Sequence, residues 1–106
     1  MKRALCITLV CCASTLTFAL AQTPQGARIV EFAQKGAPPS GPYPVVIEHD
    51  QRLATHTVYR PATLGPSKHP VLVWGNGACV KNGLTFPEYL SEIASYGFVV
   101  VADGSA

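Results

Sequence analysis

Two short apolar runs on either side of one amphipathic segment limit what this chain can become. The first, Val71-Leu72-Val73-Trp74, lies between Pro70 and Gly75. The second, Phe98-Val99-Val100-Val101-Ala102, follows Gly97 and stops at Asp103-Gly104. Neither alternates apolar with polar residues, so each is expected to be a strand covered on both faces, as in a parallel sheet. Between them, Phe86, Leu90, Ile93 and Ala94 recur at helical spacing, with Glu88, Ser91, Glu92 and Ser95 mostly on the other side. Thr85-Phe86-Pro87-Glu88 has the form of a capping box with proline in the first turn. Gly97 stands where a helix C-terminus favours a left-handed residue. Strand, helix and strand in this order predict a β-α-β unit with parallel strands and a right-handed crossover.

Upstream, Val45–His49 is rich in β-branched residues and reads as a strand, Asp50–Leu53 as a turn, and Thr55–Arg60 as a second strand closed by Pro61. Together they predict an antiparallel hairpin, and the proline-rich stretch from Pro61 to Pro70 is a loop. Residues 22–44 hold prolines at 24, 38, 39, 42 and 44 and glycines at 26, 36 and 41. They read as a leader lying over the surface, with a short candidate strand in Arg28–Phe32. The expected fold class is therefore α/β: a hairpin, then a parallel β-α-β unit, within residues 45–106. One helix cannot cover both faces of a parallel sheet, and the sequence stops at the C-terminal end of a strand, where sites in such folds are built. The expectation is the N-terminal portion of a larger, incomplete α/β domain.

Residues 1–21 read as an export signal: Lys2 and Arg3, then the apolar stretch Ala4–Phe18, then Ala19-Leu20-Ala21 as a small-x-small cleavage pattern. The apolar stretch falls short of the roughly 20 residues that span a bilayer, so no stable membrane insertion is expected after cleavage following Ala21. A secreted or periplasmic location follows. The chain has 8 Lys plus Arg and 6 Asp plus Glu. Losing Lys2 and Arg3 balances the two signs, which leaves no electrostatic case for nucleic acid or an anionic membrane. Cys6, Cys11 and Cys12 leave with the signal, so Cys79 remains alone. An odd cysteine in an exported protein points to a disulfide with a partner elsewhere or to a free thiol.

The loop after the first apolar run, Gly75-Asn76-Gly77-Ala78-Cys79-Val80, admits three chemistries. A phosphate cradle would need a third glycine where Val80 stands, and a Walker loop would not place Lys81 between Val80 and Asn82. The helix also starts several residues too late to join its N–H groups to the glycines. A thiol nucleophile is the second chemistry. Gly77-Ala78-Cys79-Val80-Lys81 resembles the G-x-C-x-G turn of some dienelactone hydrolases, with Lys81 in place of the last glycine. Here the spacer Lys81–Thr85 separates the cysteine from the helix, and only His49, His56 or His69 could serve as its base. The third chemistry is an oxyanion loop that offers backbone N–H groups to developing negative charge. An ordinary tight turn in a βα connection is the plain alternative.

Three stretches bear on that choice: "THTVYRP", "HPVLVWGNG" and "FPEYLSEIASYGFVVVADG". As a set they resemble the opening of the α/β-hydrolase fold, in its secreted branch near dienelactone hydrolases, cutinase-like polyesterases and chlorophyllases. They match the second strand, the third strand with its loop, and the first helix with the fourth strand. The resemblance implies that the loop gives one backbone N–H to the oxyanion hole of a serine ester hydrolase. Setting Trp74-Gly75 on the family's His-Gly points to Asn76; setting Asn76-Gly77 on the Pro-Gly of polyesterases points to Ala78; Gly77 lies between. It implies small-molecule or polymeric ester substrates and neither metal nor organic cofactor. Trp74 is a candidate for lining the substrate cleft, with a core aromatic as the alternative. No Gly-x-Ser-x-Gly occurs, and the nucleophile, acid and histidine would follow residue 106 in chain order. His49, His56 and His69 come too early for that histidine and are expected at the surface or at strand edges, while Asp103 is expected to cap its strand. The alternative from another class is a small exported binding protein that retains part of a hydrolase fold.

Overall fold

The computed structural model of the chain describes residues 26–30 and 35–106. Within them a mixed five-stranded sheet carries one helix. Strand β1 (Ala27–Ile29) pairs antiparallel with β2 (Val45–Asp50), and β2 pairs antiparallel with β3 (His56–Pro61). Strands β4 (Val71–Trp74) and β5 (Val99–Asp103) are parallel and joined through helix α1 (Pro87–Ser95). Strand β5 enters between β3 and β4, so the spatial order is β1-β2-β3-β5-β4 and β4 lies at an edge. The expected hairpin and β-α-β unit are both present, with shifts at the strand ends. Strand β2 runs on through Asp50, whose carboxylate accepts from the Arg52 N–H at 2.9 Å and from its guanidinium. Those bonds hold the Asp50 pKa near about 2 and fix the 3-10 turn Gln51–Leu53. The candidate strand near Arg28 is present as β1 through Ile29; residues 31–34 and the stretch read as an export signal lie outside the described residues.

The pleat sorts the side chains. Ile47, Tyr59, Val100 and Ala102 point to the helix side and pack with Leu90 and Ala94; Leu72 and Trp74 join them partly buried. Full burial of Leu90 alone contributes about 1.5–3 kcal/mol. The other face was expected to be covered as well, and along β4 it is not. Val71 is 66% and Val73 77% exposed. Both project from the edge strand on the face away from α1, where a parallel sheet needs a second layer. On that face Arg60 donates to the Glu48 carboxylate at 2.7 Å, a pair with both side chains largely buried.

Helix α1 departs from its expected start. Phe86, not Thr85, is the N-cap, and no side chain caps the helix. The Thr85 hydroxyl donates instead to the Asn82 carbonyl at 2.7 Å, which ties it into the preceding turn. Its buried face also includes Ser91 and Ser95, which the apolar periodicity assigned mostly to the outer side. At Ser95 the reason is the strap formed by residues 40–43. Ser40 N–H donates to the Glu92 carboxylate at 2.8 Å, Gly41 N–H to the Ser95 hydroxyl at 3.0 Å and Tyr43 N–H to the Ser95 carbonyl at 3.0 Å. Polar side chains at these positions satisfy a strap, so burial costs them little. At Gly41 a Cβ would sit 2.3 Å from the Ser95 carbonyl oxygen, so only glycine lets the strap lie this close. The helix ends as expected at Gly97, with φ +96° and its N–H donating to the Ala94 carbonyl at 2.9 Å. Beside it, the His69 ring lies between the carbonyls of Leu64 (2.5 Å) and Gly97 (2.7 Å). Two acceptors favour N–H on both ring nitrogens, which raises the His69 pKa, chiefly through Leu64. Among the described residues no helix is long and apolar enough to cross a membrane.

Candidate functional site

The connection from β4 to α1 leaves the C-terminal end of the parallel strands and is pinned at its root and along its return. At the root, the Asn76 side chain binds in three directions. Its Nδ2 donates to the carbonyls of Asn82 (2.8 Å) and Asp103 (2.9 Å), and its Oδ1 accepts from the Trp74 indole at 3.1 Å. Farther on, Gly83 N–H donates to the Ser105 carbonyl at 3.1 Å, and Asn82 bridges to Ser105. Two buried hydroxyls from β3 reach up to the same place. Tyr59 donates to the Gly83 carbonyl at 2.6 Å and Thr57 to the Gly104 carbonyl at 2.9 Å. Burial, and secondly the charge of Glu88, push the Tyr59 hydroxyl above its usual pKa and keep it protonated for that bond. Lys81 donates to the Asp103 carboxylate at 2.6 Å and lowers its pKa. So Asp103 holds the loop through both its backbone and its side chain, which enlarges the capping role expected of it. His56, Lys81, Asp103 and Ser105 border a cleft of about 620 Å³ beside the loop.

Between these pins stands the turn Gly77–Val80, closed by Val80 N–H donating to the Gly77 carbonyl at 3.2 Å. Its central residues, Ala78 and Cys79, have φ of +54° and +57°. That is the φ pattern of a type I′ turn, which normally takes glycine or asparagine. Gly75 and Gly77 do not supply this left-handed backbone. Neither has a positive φ, and a Cβ on either would meet nothing within 4 Å. The left-handed conformation falls on two residues that carry a Cβ, at about 1–2 kcal/mol each. Ala78→Gly and Cys79→Gly are each expected to stabilise the chain by about 0.5–1 kcal/mol, after glycine's own entropic cost. Urea denaturation of each variant checks this, and a loss of stability would mean that the turn is not held left-handed.

The three candidate amides lie together here. Within the described residues the N–H groups of Asn76, Gly77, Ala78 and Cys79 donate no hydrogen bond, whereas that of Val80 is used. Trp74 packs edge-on against Phe86, with ring centroids 5.9 Å apart at 74°, and tilted against Tyr89 at 5.4 Å and 57°. The ring is partly buried and packs against the core. Cys79 is exposed and makes no disulfide among the described residues, with α1 beginning only at Pro87. Of the histidines, His56 borders the cleft and makes a 3.0 Å bond to the Thr55 hydroxyl, while His69 lies beside Gly97, at the far end of α1. His49 is half-buried on β2, and its Nδ1 has no partner among the described residues. Among the described residues no three of His, Cys, Asp and Glu converge as metal ligands would. The sequence reading missed the Asn76 side chain and the ring pair Phe86 and Tyr89. An asparagine between two glycines, and aromatics one helical turn apart, were the available signals. The sequence matches no known protein-family model, and no curated protein matches it significantly.

Proposed function

We propose that residues 45–106 are the opening part of an exported serine ester hydrolase of the α/β-hydrolase type. In this reading the loop Asn76-Gly77-Ala78 supplies a backbone N–H to the oxyanion. The single observation that carries the reading is the loop at the C-terminal end of β4. Among the described residues its amides from Asn76 to Cys79 are unspent, and two of these residues, Ala78 and Cys79, are held left-handed. Backbone strain of this kind concentrates at functional sites. An unspent amide aimed at a carbonyl oxygen stabilises the charge that develops there when a serine attacks; losing one such donor costs about 2.7–4 kcal/mol of transition-state stabilisation. The mixed sheet, with its hairpin and its parallel pair, is compatible with the resemblance.

The nucleophile, acid and histidine of that mechanism are assigned to sequence beyond residue 106, so the chain by itself is expected to be inactive. Chromogenic ester hydrolysis by the purified chain tests this. The expected result is no turnover above buffer. Turnover abolished by alkylating Cys79 would replace the serine reading with the thiol one. The open edge of β4, with Val71 and Val73 exposed, favours a second reading as a non-catalytic exported binding protein. A well-behaved monomer on size exclusion, with no Gly-x-Ser-x-Gly in the reading frame downstream, would decide for it.

A further inference from the structure

The rings around Trp74 form a surface that the described residues leave uncovered. Phe86 is 46% and Tyr89 55% exposed, and both rest against Trp74. Trp74 is in turn fixed by the Asn76 side chain, the first residue of the candidate amide loop. Rotation of the indole is therefore tied to the loop, and the two exposed rings lie on a backing that cannot move freely. Among the described residues the Tyr89 hydroxyl makes no hydrogen bond, so it remains available to a ligand. The three rings carry no formal charge. Aromatic pairs gain from tilted and edge-on contact beyond the area they bury, and a ligand ring can extend that arrangement where an aliphatic chain cannot.

We infer that Trp74, Phe86 and Tyr89 form the subsite for the ring-bearing part of a neutral aromatic ester. This substrate class rests on the ester-hydrolase reading above. The ester carbonyl would lie toward Asn76–Ala78, and the Tyr89 hydroxyl would donate to or accept from a polar ring substituent.

Trp74 is the only tryptophan in the chain, so its emission reports on this surface alone. The experiment is titration of the purified full chain with methyl benzoate, with benzoate and methyl hexanoate as comparisons. The expected result is a saturable change with methyl benzoate and binding at least about 3-fold weaker for either comparison. Phe86→Ala and Tyr89→Ala should each weaken it about 3- to 10-fold, which is the value of one aromatic contact expressed as affinity. Both rings are exposed enough for the variants to fold, which far-UV circular dichroism checks; Tyr89→Leu, which keeps bulk and removes the ring, carries the test if an alanine variant does not fold. A change that never saturates, or one unaltered in the double variant, overturns the inference. So does emission that shifts with protein concentration before any ester is added, since a second copy would then cover the rings. Binding is read without turnover, so the two readings fail separately. A shelf that binds beside a downstream sequence lacking any nucleophile removes the enzyme. A shelf that does not bind removes only the subsite.

Discussion

Gly83→Ala lowers the stability of the chain by about 3 kcal/mol or more, and its urea midpoint falls accordingly. The added Cβ would stand 1.9 Å from the Thr57 hydroxyl oxygen, 2.4 Å from the Thr57 Cβ and 2.5 Å from the Gly104 carbonyl oxygen. Thr57 is fully buried in β3, and two of these atoms belong to one hydrogen bond, Thr57 Oγ1 to Gly104 O at 2.9 Å. The side chain cannot rotate away without leaving that carbonyl and its own hydroxyl unpaired in the interior, at about 1–3 kcal/mol. Moving Gly83 instead stretches the 2.6 Å bond from Tyr59, whose ring is also fully buried. For a domain whose whole stability is of order 5–10 kcal/mol, either route removes a large share. The comparison variants are Gly75→Ala and Gly77→Ala, which meet open space and are expected to change stability by less than about 0.5 kcal/mol. Equal midpoints for Gly83→Ala and Gly77→Ala would mean that the loop is not seated on Thr57 and Tyr59.

That contrast also shows what the sequence could reveal. The β-α-β unit was legible because its signals are local: two unalternated apolar runs, a 3.6-residue period, and a glycine at the helix end with φ +96°. Gly75 and Gly77 drew notice because they stand in a motif-like string, yet the close contacts are at Gly41, Gly83 and Gly104. Those contacts are between residues far apart in the chain, Gly83 with Thr57 and Gly41 with Ser95, and no window of sequence contains both partners. The strap was invisible for the same reason. Ser91 and Ser95 looked like an outer helix face because periodicity weighs side chains by polarity, and the Gly41 N–H that satisfies the Ser95 hydroxyl lies 54 residues upstream. Coverage of both faces of β4 was expected from composition alone. Apolar composition records what a face is suited to bury, and here only one face meets a helix. The candidate amides were found by the string that holds them, while the clamp that positions them, the Asn76 side chain, depends on the carbonyl of Asp103 brought alongside by the crossover.

Asn76→Asp is expected to cost more than Asn76→Ala, about 2–3 kcal/mol against about 1–2 kcal/mol, because of what the amide faces. In the native chain Nδ2 donates to two carbonyl oxygens, of Asn82 and Asp103, while Oδ1 accepts from the Trp74 indole. Alanine deletes these bonds and leaves groups that loop water can partly reach. A carboxylate keeps the indole bond and turns the other oxygen, charged, toward two carbonyl oxygens that can only accept. The order of the two variants therefore tests the direction of the bonds, which a loss of packing would not reproduce. The penalty should also depend on pH. Repulsion from the two carbonyls raises the introduced carboxyl's folded pKa above its unfolded value of about 3.9. Its protonated form can donate to one carbonyl, so stability relative to Asn76→Ala is greatest below pH about 4 and is lost as pH rises through the folded pKa. Urea midpoints of both variants from pH 3 to pH 7, each referred to the parent at the same pH, check the order and the slope. If the two variants coincide across that range, the Asn76 amide is not the clamp, and the loop amides beside it are not held in place by the crossover strand.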